Sequence, residues 1–353
     1  MCIRDRYWTT KPGGFFRAEA VTDGRILYLA SSTNDEVLIM DLSTGSVSGS
    51  LPADGRVLVS VAVGDLGMTR GDTTVRMAVY VSEDGTVHGS AIEGGGTFSP
   101  TSLDAGVAAS PVIAGGVAVV GTDSGRVYGF NTDGIQWIYP AEDGDPIGSV
   151  SEEAAFADGI FYVIDDRGEL HLIDSETGDL VCSRRFGIPP KGNPGVSAGS
   201  VYLQTDSAFM ILTAAGECGD FIQPPIDSGV TNAIAVNDGI VFSAWSNLLF
   251  PYDPLQMTGA GIGSQEQLGP WAPVTIDSDL STPPVIAGNA VVFGTQGGMV
   301  HALDLASGEE LWRFDVDVAT GDDVAIIGAP IVLKNTVIVL TNQGHVVAIA
   351  GEY

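Results

Sequence analysis

Residues 110–137 read SPVIAGGVAVVGTDSGRVYGFNTDGIQW, and residues 282–312 read TPPVIAGNAVVFGTQGGMVHALDLASGEELW. From Pro111 and Pro284 the two blocks align without a gap for about twenty residues. They share the PVIAG run, Val119 with Val292, Gly121-Thr122 with Gly294-Thr295, Gly125 with Gly298, and Val127 with Val300. A chain that repeats a block of this kind builds one supersecondary unit several times over.

Working outward, weaker copies begin near Ala20, Met77, Ala154, Val196, Ala233 and Gly328, which makes eight copies in 353 residues. Each copy has the same grammar. A short apolar run meets a turn such as Asp23-Gly24, Gly115-Gly116, Asp158-Gly159 or Asp238-Gly239. A Val/Ile/Tyr/Phe-rich run follows and ends at a second turn: Asp84-Gly85, Ser124-Gly125, Arg167-Gly168 or Gln343-Gly344. A third run leads to Thr44-Gly45, Asp133-Gly134, Thr177-Gly178 or Ser307-Gly308, and a fourth closes the unit. Glycine after a small polar residue supplies the positive φ of tight hairpins, and β-branched and aromatic residues fill the runs between. No stretch of useful length carries a helical period. Four antiparallel strands at this period predict an all-β fold, a single β-propeller of eight four-stranded blades. The last copy ends without a fourth strand, and the segment around Trp8 is expected to supply it and close the ring. The opening MCIRDR does not fit the pattern, so residues 1–6 are read as a non-native or fragment start and 7–353 as the propeller domain.

The grammar G-x-V-[YF]-x-G-[ST]-x-x-G-x-[VL]-[YH]-[AG]-[LF]-[DN]-x-x-x-G-x-x-x-W resembles the PQQ-like, quinoprotein-type propeller repeat. The likeness runs from about residue 13 onward, and is strongest in the third and seventh copies. The repeat's Trp stands at Trp137 and Trp312, with Trp8 and Trp271 as looser matches. The resemblance implies two kinds of protein: PQQ-dependent dehydrogenases, and cofactor-free scaffolds such as the BamB-like lipoproteins of outer-membrane assembly. The dehydrogenases are usually larger and often carry adjacent cysteines beside the cofactor, and this chain has none. The resemblance therefore points to the non-catalytic branch, an extracytoplasmic scaffold that binds a protein or polymer partner on a propeller face. A quinoprotein oxidoreductase with PQQ and calcium, and the propeller domain of a larger surface protein, are the alternatives.

Composition narrows the partners. Forty-four Asp and Glu against fifteen Lys and Arg give a formal charge of −29, with lysine only at 11, 191 and 334. Nucleic acid and anionic lipid need a basic footprint, so neither is expected as a partner. No run of 18 apolar residues occurs to span a membrane. Of three cysteines, Cys2, Cys182 and Cys218, none sits in a zinc or redox spacing. Cys182 and Cys218 fall on the last strands of neighbouring copies, and two free, semi-buried thiols are expected, a disulfide between them being the alternative.

No catalytic or cofactor-binding residue is assigned. His88, His171 and His301 occupy one third-strand register, where Tyr128 sits in the third copy, so they belong to separate blades and cannot share an ion. Asp41, Asn131, Asp174, Asp253 and Asp304 share a second register just before the third turn, where a short polar side chain can hold the turn backbone. The acidic stretches Ala141–Pro146 with Glu152-Glu153, and Asp315–Asp323, lack spaced calcium-loop ligands and read as solvated surface, with calcium as the alternative. Arg70-Gly71-Asp72 is a chance tripeptide. Long connections at 66–74 and 254–270 are expected on one face of the ring. The charge makes one prediction: screening self-repulsion with added sodium chloride raises the melting temperature, and a flat or falling response would refute it.

Overall fold

The structure, a computed structural model, describes residues 5–67, 74–93, 96–103, 105–189, 191–197, 200–204, 209–213, 221–222, 234–253, 269–334 and 336–350. Within them lie eight four-stranded antiparallel sheets. Seven are continuous, spanning 21–52, 62–102, 112–139, 155–185, 195–222, 235–275 and 285–315, and their strands follow chain order from axis to rim. The eighth joins Ile326–Leu333, Thr336–Thr341 and Val346–Ala350 to Asp5–Thr10 at the other end of the chain. Trp8 faces Ala348, Thr9 faces Val347 and Thr10 faces Val346. The ring is an eight-bladed propeller, and its clasp is the one the sequence predicts.

Burial follows strand position. Second strands such as Ile160–Ile164 and Ala290–Gly294 are buried throughout, as is the third strand Val127–Asn131. These strands are covered by a neighbouring blade on each side, which is why they read as continuous apolar runs. Fourth strands are rim strands, and Val47–Pro52 is largely exposed. The core lies between blades rather than within them. Val79, Val81 and Phe98 of blade 2 pack with Ala118, Val120 and Phe130 of blade 3. Val292, Val300 and Trp312 of blade 7 pack with Val337, Val339 and Val347 of blade 8.

Tryptophans fasten the seams. Trp137, on the fourth strand of blade 3, donates its indole N–H to the Ser175 carbonyl in blade 4 at 3.0 Å. Trp8 donates likewise to Leu42 of blade 1 at 3.0 Å, and Trp271 to Leu305 of blade 7 at 3.1 Å. Each ring lies on the glycine of that blade's third turn: Gly45, Gly178 or Gly308. Trp8 and Trp271, the looser sequence matches, thus play the same part as Trp137. Trp312 is buried too, but its Nε1 has no partner among the described residues. In blade 8 the third turn it would meet is replaced by the clasp between the two chain ends.

Gly178 and Gly159 separate backbone strain from close approach. Both have positive φ, +74° and +78°, but a Cβ at Gly178 would lie 2.6 Å from the Trp137 ring, whereas nothing lies within 4 Å at Gly159. Gly159→Ala is expected to cost about 1–2 kcal/mol for the left-handed conformation. Gly178→Ala adds an overpacking cost of about 1–3 kcal/mol. Equal denaturation midpoints for the two variants would show that the tryptophan does not lock the seam.

Candidate functional site

The first strands of neighbouring blades meet around the axis. The residues that lead into them form a hydrogen-bonded girdle from blade to blade. The Ala329 N–H donates to Glu19 Oε1 at 3.0 Å, and the Glu19 N–H donates to Ser60 Oγ at 3.0 Å. The Ser60 N–H donates to Ser110 Oγ at 3.1 Å, the Ser110 side chain is bonded to Glu153, and the Glu153 N–H donates to Asn193 Oδ1 at 2.9 Å. Burial pushes the Glu153 carboxyl above its usual range; the Ser110 bond opposes this, and the charges of Glu19 and Glu152 add to it. Burial raises Glu152 as well. Sequence reading placed Glu152 and Glu153 in a surface loop and missed Glu19, Ser60, Ser110 and Asn193. Their one signal is position, just before the apolar run that opens each copy.

The acidic stretch after blade 3 is built around a cation of its own. Arg126 Nη1 donates to the carbonyls of Pro140 and Ala141, each at 2.8 Å, and Nη2 donates to those of Glu142 at 3.1 Å and Gly144 at 3.3 Å. The carbonyls that could have ligated calcium surround a guanidinium instead. The second stretch forms the one-turn helix Val316–Thr320, capped by Asp315, which accepts the Val318 N–H at 3.0 Å. Asp317 accepts the Val324 N–H at 2.9 Å, and Asp322 pairs with His345 Nε2 at 2.8 Å. Among the described residues, no group of three or more His, Cys, Asp or Glu is placed to hold a metal ion.

The histidines stand apart. His88 lies opposite Tyr80, His171 opposite Val163 and His301 opposite Phe293, one register in blades 2, 4 and 7. His88 stacks on Tyr80 with ring centroids 5.0 Å apart, and His301 stacks on Phe293 at 5.4 Å. His171 Nδ1 meets the Tyr139 hydroxyl at 3.0 Å, and His301 Nδ1 meets Glu310 at 3.1 Å. The acid register also serves the fold. Asp41, Asp174 and Asp304 each accept two turn N–H groups, and Asn131 accepts the Asp133 N–H at 2.8 Å. Asp253 is followed directly by residues outside the described set. Arg70-Gly71-Asp72 and most of the long connections at 66–74 and 254–270 also lie outside it. The expectation of free thiols needs correction: Cys182 is disulfide-bonded, to a partner outside the described residues.

Residues 255–352 match the family model described as "Outer membrane protein assembly factor BamB". BamB from Moraxella catarrhalis superposes with a TM-score of 0.72 at 16% identity, over 99% of this chain and 98% of that one. This chain is a β-propeller whose residues 255–352 are similar to the BamB family. The likeness in shape extends to the computationally designed Ika8 protein, with TM-score 0.69, 16% identity and 98% coverage of both chains. Sqt1 of Saccharomyces cerevisiae has TM-score 0.71 at 10% identity, again over 98% of each chain. At such identities these structures share the fold alone. No curated protein matches the sequence. No helix among the described residues of the propeller is long and apolar enough to cross a membrane.

The buried histidines carry a pH prediction. Desolvation holds His88, His171 and His301 below the ordinary imidazole range, against the pull of nearby carboxylates. The unfolded chain takes up protons from about pH 6.5 downward, before these sites do, so stability falls as pH drops from 7 toward 5.5. His171→Phe should lessen that fall in melting temperature. An unchanged slope would show that His171 does not contribute to it.

Proposed function

We propose that this BamB-like propeller is a non-catalytic scaffold that binds a protein partner at the cell envelope. The observation that carries the reading is where the chemically capable side chains go. The histidines lie in separate blades, the turn acids hold turns, the axial carboxylates hold one blade to the next, and the loop carbonyls hold Arg126. What the ring offers a partner is area: broad faces, and rim strands that expose Val47, Ile135, Leu180 and Val181. The family description and the disulfide at Cys182 support an oxidising, extracytoplasmic setting, where such bonds persist.

The axial residues do not suit PQQ. That cofactor carries carboxylates of its own, and Glu19, Glu152 and Glu153 present like charge to it. We therefore propose a chain that works without PQQ.

The test is made on the protein in its native cell. The reading frame upstream of the Tyr7 codon is sequenced, and the tagged full-length product is captured from detergent-solubilised envelopes after mild cross-linking. An export signal together with stoichiometric recovery of an envelope protein is the expected result. A start codon leading straight into the first blade would overturn the envelope assignment. Dye reduction with an alcohol or sugar after reconstitution with PQQ and calcium would overturn the non-catalytic one.

A further inference from the structure

Blades 3 and 7 share a near-identical first hairpin, so a difference in what the next blade lays over that turn is informative. Gly115, in the first hairpin turn of blade 3, and Gly288, in that of blade 7, are equivalent residues with φ of +58° and +59°. Over Gly115 lies the ring of Phe156 from blade 4, with Cζ at 3.0 Å from a built Cβ and Ser175 Oγ at 3.4 Å. Phe156 pairs with Phe161 across the first two strands of blade 4, and Val332 holds that position in blade 8, paired with Val337. Valine is too short to cover the turn. No described atom lies within 4 Å of a Cβ built at Gly288, and a cavity of about 340 Å³ opens between blades 7 and 8. Ala287, Gly288, Val332 and Leu333 line it, with Asn289 and Lys334 at the edge.

Its chemistry is unusual for this molecule. The volume falls in the range of small-ligand pockets, and the lining is mainly apolar with a few polar groups. Lys334 is one of three lysines in a chain of charge −29, is exposed, and makes no ion pair among the described residues. The Asn289 side chain is already directed to Asp304 Oδ2, at 3.3 Å, which leaves the ammonium as the cation at the mouth. The space is the one an aromatic ring fills at the equivalent seam.

We propose that the cavity between blades 7 and 8 is a docking site for an aromatic side chain of a partner protein flanked by an acidic residue. The ring fills the place that Phe156 takes at the seam of blades 3 and 4, and the carboxylate meets Lys334. The proposal rests on the scaffold reading and gives it a partner chemistry. Because the site is probed with a synthetic peptide, its failure leaves the envelope-capture result standing.

The test is a titration of the full chain, methyl-labelled at Ala, Val and Leu, at an ionic strength near 0.15 M. The probe is a capped heptapeptide with Asp-Phe-Glu at its centre, and the control replaces Phe by Ala. Saturable shifts should centre on the methyls of Ala287, Val332 and Leu333. The Ala control should leave them unmoved. Val332→Phe, which rebuilds the filled seam, should abolish binding, and Lys334→Gln, at the exposed edge, should weaken it about two- to fivefold. No saturation by about 2 mM peptide, binding by the control, or undiminished binding to either variant overturns the proposal. If Val332→Phe does not fold, Lys334→Gln and the control peptide decide alone. Movement of the same methyls with protein concentration and not with peptide would assign the cavity to a second copy of the chain, and would also overturn it.

Discussion

The pairing of Asp5–Thr10 with Val346–Ala350 holds everything else in place. Every blade has its core in the seams on either side of it, so no blade is complete unless both neighbours are present. In an open array the first and last blades would each expose one apolar flank. Here the clasp sets Leu27 and Met40 of blade 1 against Ile338 and Val346 of blade 8, a seam like the others. Among the described residues the clasp combines strand pairing with a tryptophan: Trp8 crosses to Leu42 and binds the closing blade to the opening one.

Much of this was legible in the sequence because the repeat is local. The Gly-Gly, Ser-Gly and Asp-Gly turns at 115, 124 and 133, with the apolar runs between them, specify one blade without reference to anything distant. Repetition then supplies the neighbour. Even the closing strand could be foreseen, because the last copy lacks a fourth run and the chain starts with a spare one. The register of His88, His171 and His301 was legible for the same reason, since three equivalent places on separate blades cannot converge.

What the sequence hid lies between blades. Arg126 reads as an ordinary turn residue beside Gly125, and only the fold brings the carbonyls of 140–144 around it. The axial girdle joins Glu19, Ser60, Ser110 and Asn193 over separations of roughly one repeat, so no single copy contains the pattern. The unfilled seam at Gly288 is the sharpest case. Gly115 and Gly288 stand in the best-conserved block of the alignment, yet they differ in what covers them, because the cover belongs to the next blade: Phe156 in one case and Val332 in the other. Near-identical repeats can thus carry different surfaces, and the difference is written one repeat downstream.

The clasp also has a consequence in time. Its inner partner, Val346–Ala350, leaves the ribosome more than 330 residues after Asp5–Thr10. At about 5–20 residues per second, the first strand waits on the order of tens of seconds with its mate not yet made. Throughout that interval the growing chain is an open array of blades, and the free edge at its end is a strand looking for a pair. A nascent chain of this kind has reason to travel in company until its last strand arrives. The order of synthesis, rather than the strength of any single contact, decides when the molecule first becomes a ring.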